Sequence, residues 1–422
     1  MKAVIGTRRQ GEVVRIPSSK SLSHRALIAA ALGNGTSRIH NLVFNQDTEA
    51  TMRALSGLGA SFHQTEDGAL EVTGAPRPFH CFEPVIDCGE SGSTLRFLIP
   101  LFSQCDNEVL FTGQGRLMER PQTVYEELFR EENLLFETDG RFLKLRGPLS
   151  RRCYTVRGDI SSQFITGLLF LLGLREEDTE ITILEPYESR SYVGLTEDVL
   201  EQAGIVLQDA NNRIRISGAS SYQPFEMDID GDDSQAAFFA ELALVTDESL
   251  TVCGMRHDSR QGDHAIVSLF EQAGGRSIPV DGGYRFEPAG RRGIRADLSD
   301  CPDLGPALFA MAGAIDDESV FTGCGRLRIK ESDRIAAMQE ELEKLGVCVR
   351  VQGDTVRIQG TADMQGGVTL NGHNDHRIVM ALAALGPACK KTVAILEAEA
   401  VRKSYPDFFT DLAKAGVEVM TE

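Results

Sequence analysis

This chain of 422 residues has little of what would tie it to a membrane, a polyanion or an oxidising compartment. Its nine cysteines are scattered singly, with no Cys-x-x-Cys pair. That argues against a disulfide framework or a zinc site and suits a reducing cytosol, so a cytoplasmic protein is expected. No apolar run is long. The longest, Phe164 to Leu174, falls far short of the roughly 20 residues a membrane helix needs. Met1 to Arg15 has no apolar core, so no signal peptide is expected. Positive charge is in the minority: the net charge is −19 and the pI about 4.9. That argues against nucleic acid or an anionic membrane as partner. A small anionic substrate remains open if basic residues concentrate locally. Low-complexity and linker-like segments are missing too.

What the chain has is a repeat. A helix end leading into a strand recurs at Leu58-Gly59-Ala60, Glu132-Asn133-Leu134, Ala203-Gly204-Ile205, Ala273-Gly274-Gly275, Leu345-Gly346-Val347 and Ala415-Gly416-Val417, spaced by 70 to 74 residues. A period that steady over the full length is a sequence repeat. The central residue is Gly five times and Asn once, the types that tolerate a left-handed backbone at a helix C-terminus. Hairpin signals follow the markers, as at Asp139-Gly140 and Gly353-Asp354. Each unit reads as strand, helix, strand, helix, strand, strand. With 42% hydrophobic residues there is material for two cores, and three repeats per half would give two similar domains.

About 40 residues before each marker lies a polar cluster running into an apolar stretch. The six are Ser18 to Ser21, Glu90 to Ser93, Asp159 to Gln163, Asp232 to Gln235, Asp300 to Asp303 and Asn374 to Arg377. Such clusters cap helices, and helix N-termini are natural anion sites. Several carry Lys or Arg where a cap needs none, which points to a shared binding surface. The basic residues at helix starts are Lys20, Arg25, Arg96, Arg120, Lys330, Arg334, Arg377 and Lys403. Arg offers a planar fork to a carboxylate and Lys a point charge to a phosphate. Ser161, Ser162 and Gln163 add neutral donors. Asp303 and Glu331 are the carboxylates beside this positive set, suited to acid–base work if their proton affinities are tuned. His373, Asp375 and His376 have a generic spacing that no further cluster completes, so a metal is not expected.

These residues resemble one enzyme family, the 5-enolpyruvylshikimate-3-phosphate synthases. Pro17 to Ala26 resembles the family's first signature and Ser91 to Arg96 its second. Glu119-Arg120-Pro121, Ser161-Ser162-Gln163, Gln261-Gly262-Asp263, Lys330 to Arg334, Asn374 to Arg377 and Lys403 to Asp407 follow in the family's order. The resemblance covers essentially the whole chain. It implies an α/β (α+β) fold of two similar domains, each of three βαβαββ repeats in an inside-out α/β barrel, with the active site in the interdomain cleft. By that likeness one domain is residues 1–18 with 232–422, the other 19–231.

The resemblance also implies transfer of the enolpyruvyl group of phosphoenolpyruvate to the 5-hydroxyl of shikimate 3-phosphate, with no metal or organic cofactor. Carried over residue by residue, Lys20, Asp303 and Glu331 would be catalytic. Ser21 and Arg25 would hold the shikimate carboxylate. Ser161, Ser162, Ser189 and Lys330 would hold its phosphate, with Gln163, Tyr192 and Asp303 along the ring. Arg334 and Arg377 would take the phosphoenolpyruvate carboxylate. Lys20, Gly92, Arg120 and Lys403 would take its phosphate, with Gln163 and His376 beside it. Glu90, where many members have Asn, would lie by phosphoenolpyruvate. Arg326, where some have another Asn, would lie by shikimate 3-phosphate. The partners implied are these two small molecules and neither nucleic acid nor membrane, and a monomer is expected. Two other readings stand beside this one. A sister transferase acts on a UDP-sugar, but its usual reactive Cys is absent between Thr112 and Gln122. A non-catalytic anion-binding protein on the same scaffold is the other.

Overall fold

The computed structural model describes residues 1–11 and 13–422. Among the described residues twelve α-helices follow one another: α1 (Lys20–Leu32), α2 (Gln46–Ser56), α3 (Gly92–Phe102), α4 (Thr123–Glu131), α5 (Ser162–Leu172), α6 (Arg190–Gln202), α7 (Asp233–Thr246), α8 (Ile266–Gln272), α9 (Gly305–Gly313), α10 (Arg334–Lys344), α11 (His376–Leu385) and α12 (Phe408–Lys414). They alternate in character. The odd-numbered helices are apolar nearly all round and are buried nearly all round; in α11 every residue from His376 to Leu385 is buried. The even-numbered ones carry one apolar stripe, as in α10, where Ile335, Met338 and Leu342 are buried and Ala336, Glu340, Glu343 and Lys344 are exposed. A helix without a polar face has to be wrapped on every side, whereas a striped helix lies across a core with one face in water.

The strands of the described residues form six four-stranded sheets of one design. In the third repeat, Cys153–Arg157 runs parallel to Thr179–Leu184. That strand is antiparallel to Arg213–Ile216, which pairs with Leu207–Ala210 at the edge. The order by position in the repeat is therefore first, second, fourth, third, and the other five sheets share it. The parallel pair encloses the buried helix, as a parallel connection requires. The antiparallel pair is the hairpin, and its strands alternate exposed and buried residues, as in Arg213–Ile216. Helices thus lie inside and sheets outside, the arrangement implied for the fold class.

The six markers are left-handed throughout, with φ of 96° at Gly59, 55° at Asn133, 83° at Gly204, 107° at Gly274, 89° at Gly346 and 92° at Gly416.

The chain divides into two compact units, Met1–Pro17 with Asp230–Glu422 and Ser18–Ile229. The boundaries expected from the resemblance fall one residue later at the first crossing and two at the second. Pro17 belongs with the first unit because its carbonyl accepts from Asp232 N, and Ser18 with the second because its Oγ accepts from Val43 N. Each unit has its own apolar core. Three repeats complete their sheets with distant strands, one of them by setting Val14–Arg15 parallel to Leu250–Cys253. Ala3–Arg8 takes the fourth-strand place in the last repeat, between Val393–Leu396 and Val417–Thr421. In the second unit Glu226–Asp228 comes from that unit's end to lie parallel to Thr36–His40.

Candidate active site

In the second unit the N-termini of α1, α3 and α5 are tied together by side chains. Ser19, Ser91 and Ser161 cap them, each hydroxyl accepting a backbone N–H of the first turn. Lys20, Gly92 and Ser162 are therefore the first helical residues. Lys20 Nζ donates to Asp47 Oδ2 at 2.9 Å, and Asp47 lies in the first turn of α2. Gln163 spans α3 and α5: its amide donates to Ser93 Oγ at 3.0 Å and its oxygen accepts from Arg96 Nη1 at 2.8 Å. A methyl group added at Gly92 would fall 2.8 Å from Arg120 Nη1 and 3.6 Å from Gln163 Oε1. Arg120 therefore lies over the start of α3, where free backbone amides and the helix dipole favour an anion. Arg120 precedes its helix on the extended residue that ends a short turn, Leu117–Glu119, rather than opening α4 itself.

Arg25 is buried and donates to Thr196 Oγ1 (2.8 Å), Ser21 O (2.7 Å), Tyr192 O (2.8 Å) and Thr166 Oγ1 (3.4 Å). Four of the five N–H groups of a guanidinium are thus spent on the fold, which leaves one for a ligand. Burial lowers its pKa to about 9, so it stays charged at neutral pH. Ser189 is buried and left-handed, with φ 53°, immediately before α6, and Tyr192 is in that helix's first turn. Glu90 lies against the loop that follows Val109–Thr112, since a methyl at Gly115 would meet its Oε2 at 2.5 Å.

In the first unit four cationic and acidic segments converge. Asp303 accepts from Lys330 Nζ (3.1 Å), Arg334 Nη1 (3.0 Å) and Arg377 Nη2 (2.9 Å). Arg334 also donates to Asp375 Oδ2 at 2.9 Å and Glu331 Oε2 at 2.8 Å. Arg377 reaches Ser234 Oγ at 3.0 Å, which links the start of α11 to that of α7. Burial works against the Arg334 charge, but Asp375, Glu331 and Asp303 overcome it and raise its pKa. Burial also opposes the Asp375 carboxylate, and Arg334 holds its pKa below the usual range all the same. Lys330 goes the other way: burial first, then Arg334 and Arg326, lower its pKa against the pull of Asp303. Arg326 is buried in the turn Gly325–Ile329 just before it. His376 is buried beside Asp375, its Nδ1 3.8 Å from Oδ1. Lys403 Nζ donates to Asn374 O at 2.5 Å. Like Arg120, Lys403 belongs to a turn before its helix, Ala398–Lys403.

Five of the six polar clusters cap their helices with a side chain, Asp232 and Asp375 doing so in this unit. The exception is Asp300 to Asp303, which enters α9 through a turn with Pro302 and no side-chain cap. Asp303 is released from capping and given to the three cations. Sequence reasoning did not foresee Asp47 as the partner of Lys20, nor Asp375 as that of Arg334. Asp375 stands in the motif Asn374 to Arg377, but charge complementarity between residues 27 and 41 apart has no local signature.

The chain matches the family model of EPSP synthase (3-phosphoshikimate 1-carboxyvinyltransferase) over residues 4–412. It is 39% identical over 416 residues to the 3-phosphoshikimate 1-carboxyvinyltransferase of Clostridium kluyveri, with 98% of this chain and 96% of that protein covered. For the enzyme of the same name from Clostridioides difficile the identity is 37% over 415 residues, with 96% and 94% covered. Among solved structures, an EPSP synthase from Acinetobacter baumannii has a TM-score of 0.78 at 23% identity, with 100% of both chains covered. The enolpyruvyl transferase NikO from Streptomyces tendae has a TM-score of 0.77 at 15% identity, with 99% and 98% covered. At such identities the two structures speak for the fold.

Proposed function

The chain belongs to the EPSP synthase family, and we infer from its residues which groups carry the reaction. The enzyme transfers the enolpyruvyl group of phosphoenolpyruvate to the 5-hydroxyl of shikimate 3-phosphate and releases phosphate. In the addition, the hydroxyl oxygen bonds to C2 of phosphoenolpyruvate, the hydroxyl proton leaves and the methylene carbon gains a proton. In the elimination, that carbon gives a proton back, the bond from C2 to the phosphate oxygen breaks and phosphate departs.

The observation that supports the assignment best is the convergence of Lys330, Arg334 and Arg377 on Asp303, with Glu331 on the far side of Arg334. A carboxylate held by cations is a weak base and its acid form is scarce. Phosphoenolpyruvate brings a carboxylate of its own. Bound to Arg334 and Arg377, it takes over contacts that Asp303 and Glu331 make in the free enzyme, which leaves both carboxylates able to face the substrates. Arg334 stays in place because Asp375 still holds it. In this reading Glu331 delivers the proton to the methylene carbon, Asp303 receives the hydroxyl proton, and Lys20 serves the hydroxyl and the leaving phosphate. Arg120, Gly92, Lys403 and His376 take the phosphate of phosphoenolpyruvate, with Gln163 and Glu90 nearby. Ser21, Arg25, Ser161, Ser162, Gln163, Ser189, Tyr192, Arg326 and Lys330 take shikimate 3-phosphate. We place the activity in a cytoplasmic monomer of 46.1 kDa, whose mass light scattering checks.

Phosphate release from phosphoenolpyruvate, dependent on added shikimate 3-phosphate, tests the reading. Asp303→Asn and Glu331→Gln are each expected to lower turnover by about 100- to 10,000-fold, the usual loss of a positioned acid or base. Near-normal turnover in either variant removes that residue from its role.

A further inference from the structure

Two consecutive non-glycine residues, His373 and Asn374, are left-handed, with φ of 51° and 48°. L-residues adopt that conformation at a cost, and it persists where the surroundings fix it. What fixes it is α10. Glu341, on that helix, has a fully buried side chain. Its Oε2 accepts from the backbone N of Asn371 at 2.9 Å, and its Oε1 accepts from His373 Nε2 at 2.8 Å. Seven residues earlier, two turns along the same face, Arg334 grips Asp375. One helix therefore holds the turn 371–375 at both ends. The turn in turn supplies Asn374 O to Lys403 Nζ, and it opens α11 with His376 and Arg377.

Glu340, Glu341 and His373 have ligand atoms within 4.8 Å of one another, a spacing a metal ion could use. The ammonium of Lys344 fills that role already, 2.8 Å from both Glu341 oxygens and 3.0 Å from Glu340 Oε1. The hydrogen bond to Glu341 raises the pKa of His373, so the pair gains a charge-assisted character in which the imidazole donates. Glu397 completes the surroundings of the turn, its Oε2 accepting from Asn374 N at 2.5 Å.

We propose that Glu341 and His373 are positioning residues for the reaction: they hold the left-handed turn that presents Lys403, His376 and Arg377 to phosphoenolpyruvate. This rests on the assignment of those three residues to that substrate. The pair touches no reacting atom, so its loss should weaken substrate binding and spare the chemical step.

His373→Asn is the informative variant. Asn accepts a left-handed backbone, but its side chain is too short to reach Glu341. The KM for phosphoenolpyruvate should rise about tenfold, the scale of one strained residue's preference, with kcat within about threefold. The KM for shikimate 3-phosphate and the melting temperature should hold. His373→Gln, which keeps an N–H within reach of Glu341, should recover most of the loss. An unchanged KM in His373→Asn overturns the proposal. So does a parallel fall in kcat, both affinities and melting temperature, or a Gln variant no better than Asn. Lys403→Met separates the two layers. If it leaves the KM for phosphoenolpyruvate unchanged, the substrate assignment fails. If it raises that KM while His373→Asn does not, the positioning role fails alone.

Discussion

At the scale of single residues, most buried polar groups here answer to a partner, and Glu241 does not. It sits inside α7 with no exposed surface, and neither carboxylate oxygen has a hydrogen-bond partner among the described residues. Burial raises its pKa well above the usual carboxylate range. The acid is therefore held neutral in the folded protein and ionises freely in the unfolded one. Its effect on stability follows from that difference. Below the ordinary glutamate range both states are protonated and nothing is lost. As pH rises from there toward the folded pKa, the unfolded state gains by releasing its proton and stability falls. Glu241→Met fills a similar volume without a proton to release. It should be more stable than the parent by about 1–3 kcal/mol at pH 8 and by clearly less at pH 5. Thermal melts at the two pH values check this, and a gain that does not grow with pH contradicts it.

At the scale of elements, the recurring device is a buried apolar helix that opens on a polar cluster. Asp375 shows how one residue serves both halves of that device: it caps α11 and it neutralises buried Arg334. Asn caps a helix as well as Asp does, so Asp375→Asn removes the charge and spares the cap. Asp303 and Glu331 remain on Arg334, so the loss at pH 7 should stay below about 3–5 kcal/mol, the cost of a buried charge left wholly unpaired. The folded pKa of Asp375 is depressed. Its contribution is accordingly present above the ordinary aspartate range and fades as pH falls through the folded value. Urea titrations of parent and variant should converge on acidification, and a constant gap would assign the loss to packing instead. The helix starts, their caps and the left-handed markers were legible in the sequence because each is a local choice of residue type: Ser, Asp or Asn before a run, Gly or Asn after it. The short turns that carry Arg120 and Lys403 ahead of their helices were not, since Pro121 and Pro406 follow each of them without saying where the helix resumes. Nor was the tie between Glu341 and His373. Its members are 32 residues apart on a helix and a turn that both look ordinary. Pairing across repeats is set by how the helices stack, and residue order along the chain does not encode it directly.

At the scale of the whole molecule, the two units differ in continuity. The unit Ser18–Ile229 is one unbroken stretch, and it closes its own first sheet because Glu226–Asp228 returns to pair with Thr36–His40. Among the described residues, its apolar core draws on none outside it. The other unit is assembled from both ends of its sequence. Ala3–Arg8 is an inner strand with hydrogen-bonded neighbours on both sides, and Val14–Arg15 lies parallel to Leu250–Cys253. Without Met1–Pro17, the strands Val393–Leu396 and Val417–Thr421 would each lose a partner, and buried Ala3 and Ile5 would leave the core. A sheet with its inner strand removed exposes two unpaired edges, which invites aggregation. The expectation is asymmetric. A fragment of residues 18–229 should fold cooperatively alone, with a single thermal transition and protected amides in α1, α3 and α5. A fragment of residues 230–422 should be soluble and folded only when a peptide of residues 1–17 is supplied, and it should bind that peptide by strand addition. Circular dichroism and hydrogen exchange on the two fragments distinguish the cases. If residues 230–422 fold unaided, Ala3–Arg8 is dispensable to its sheet; if residues 18–229 do not fold, the continuity of a unit and the separateness of its core do not suffice to make it an independent domain.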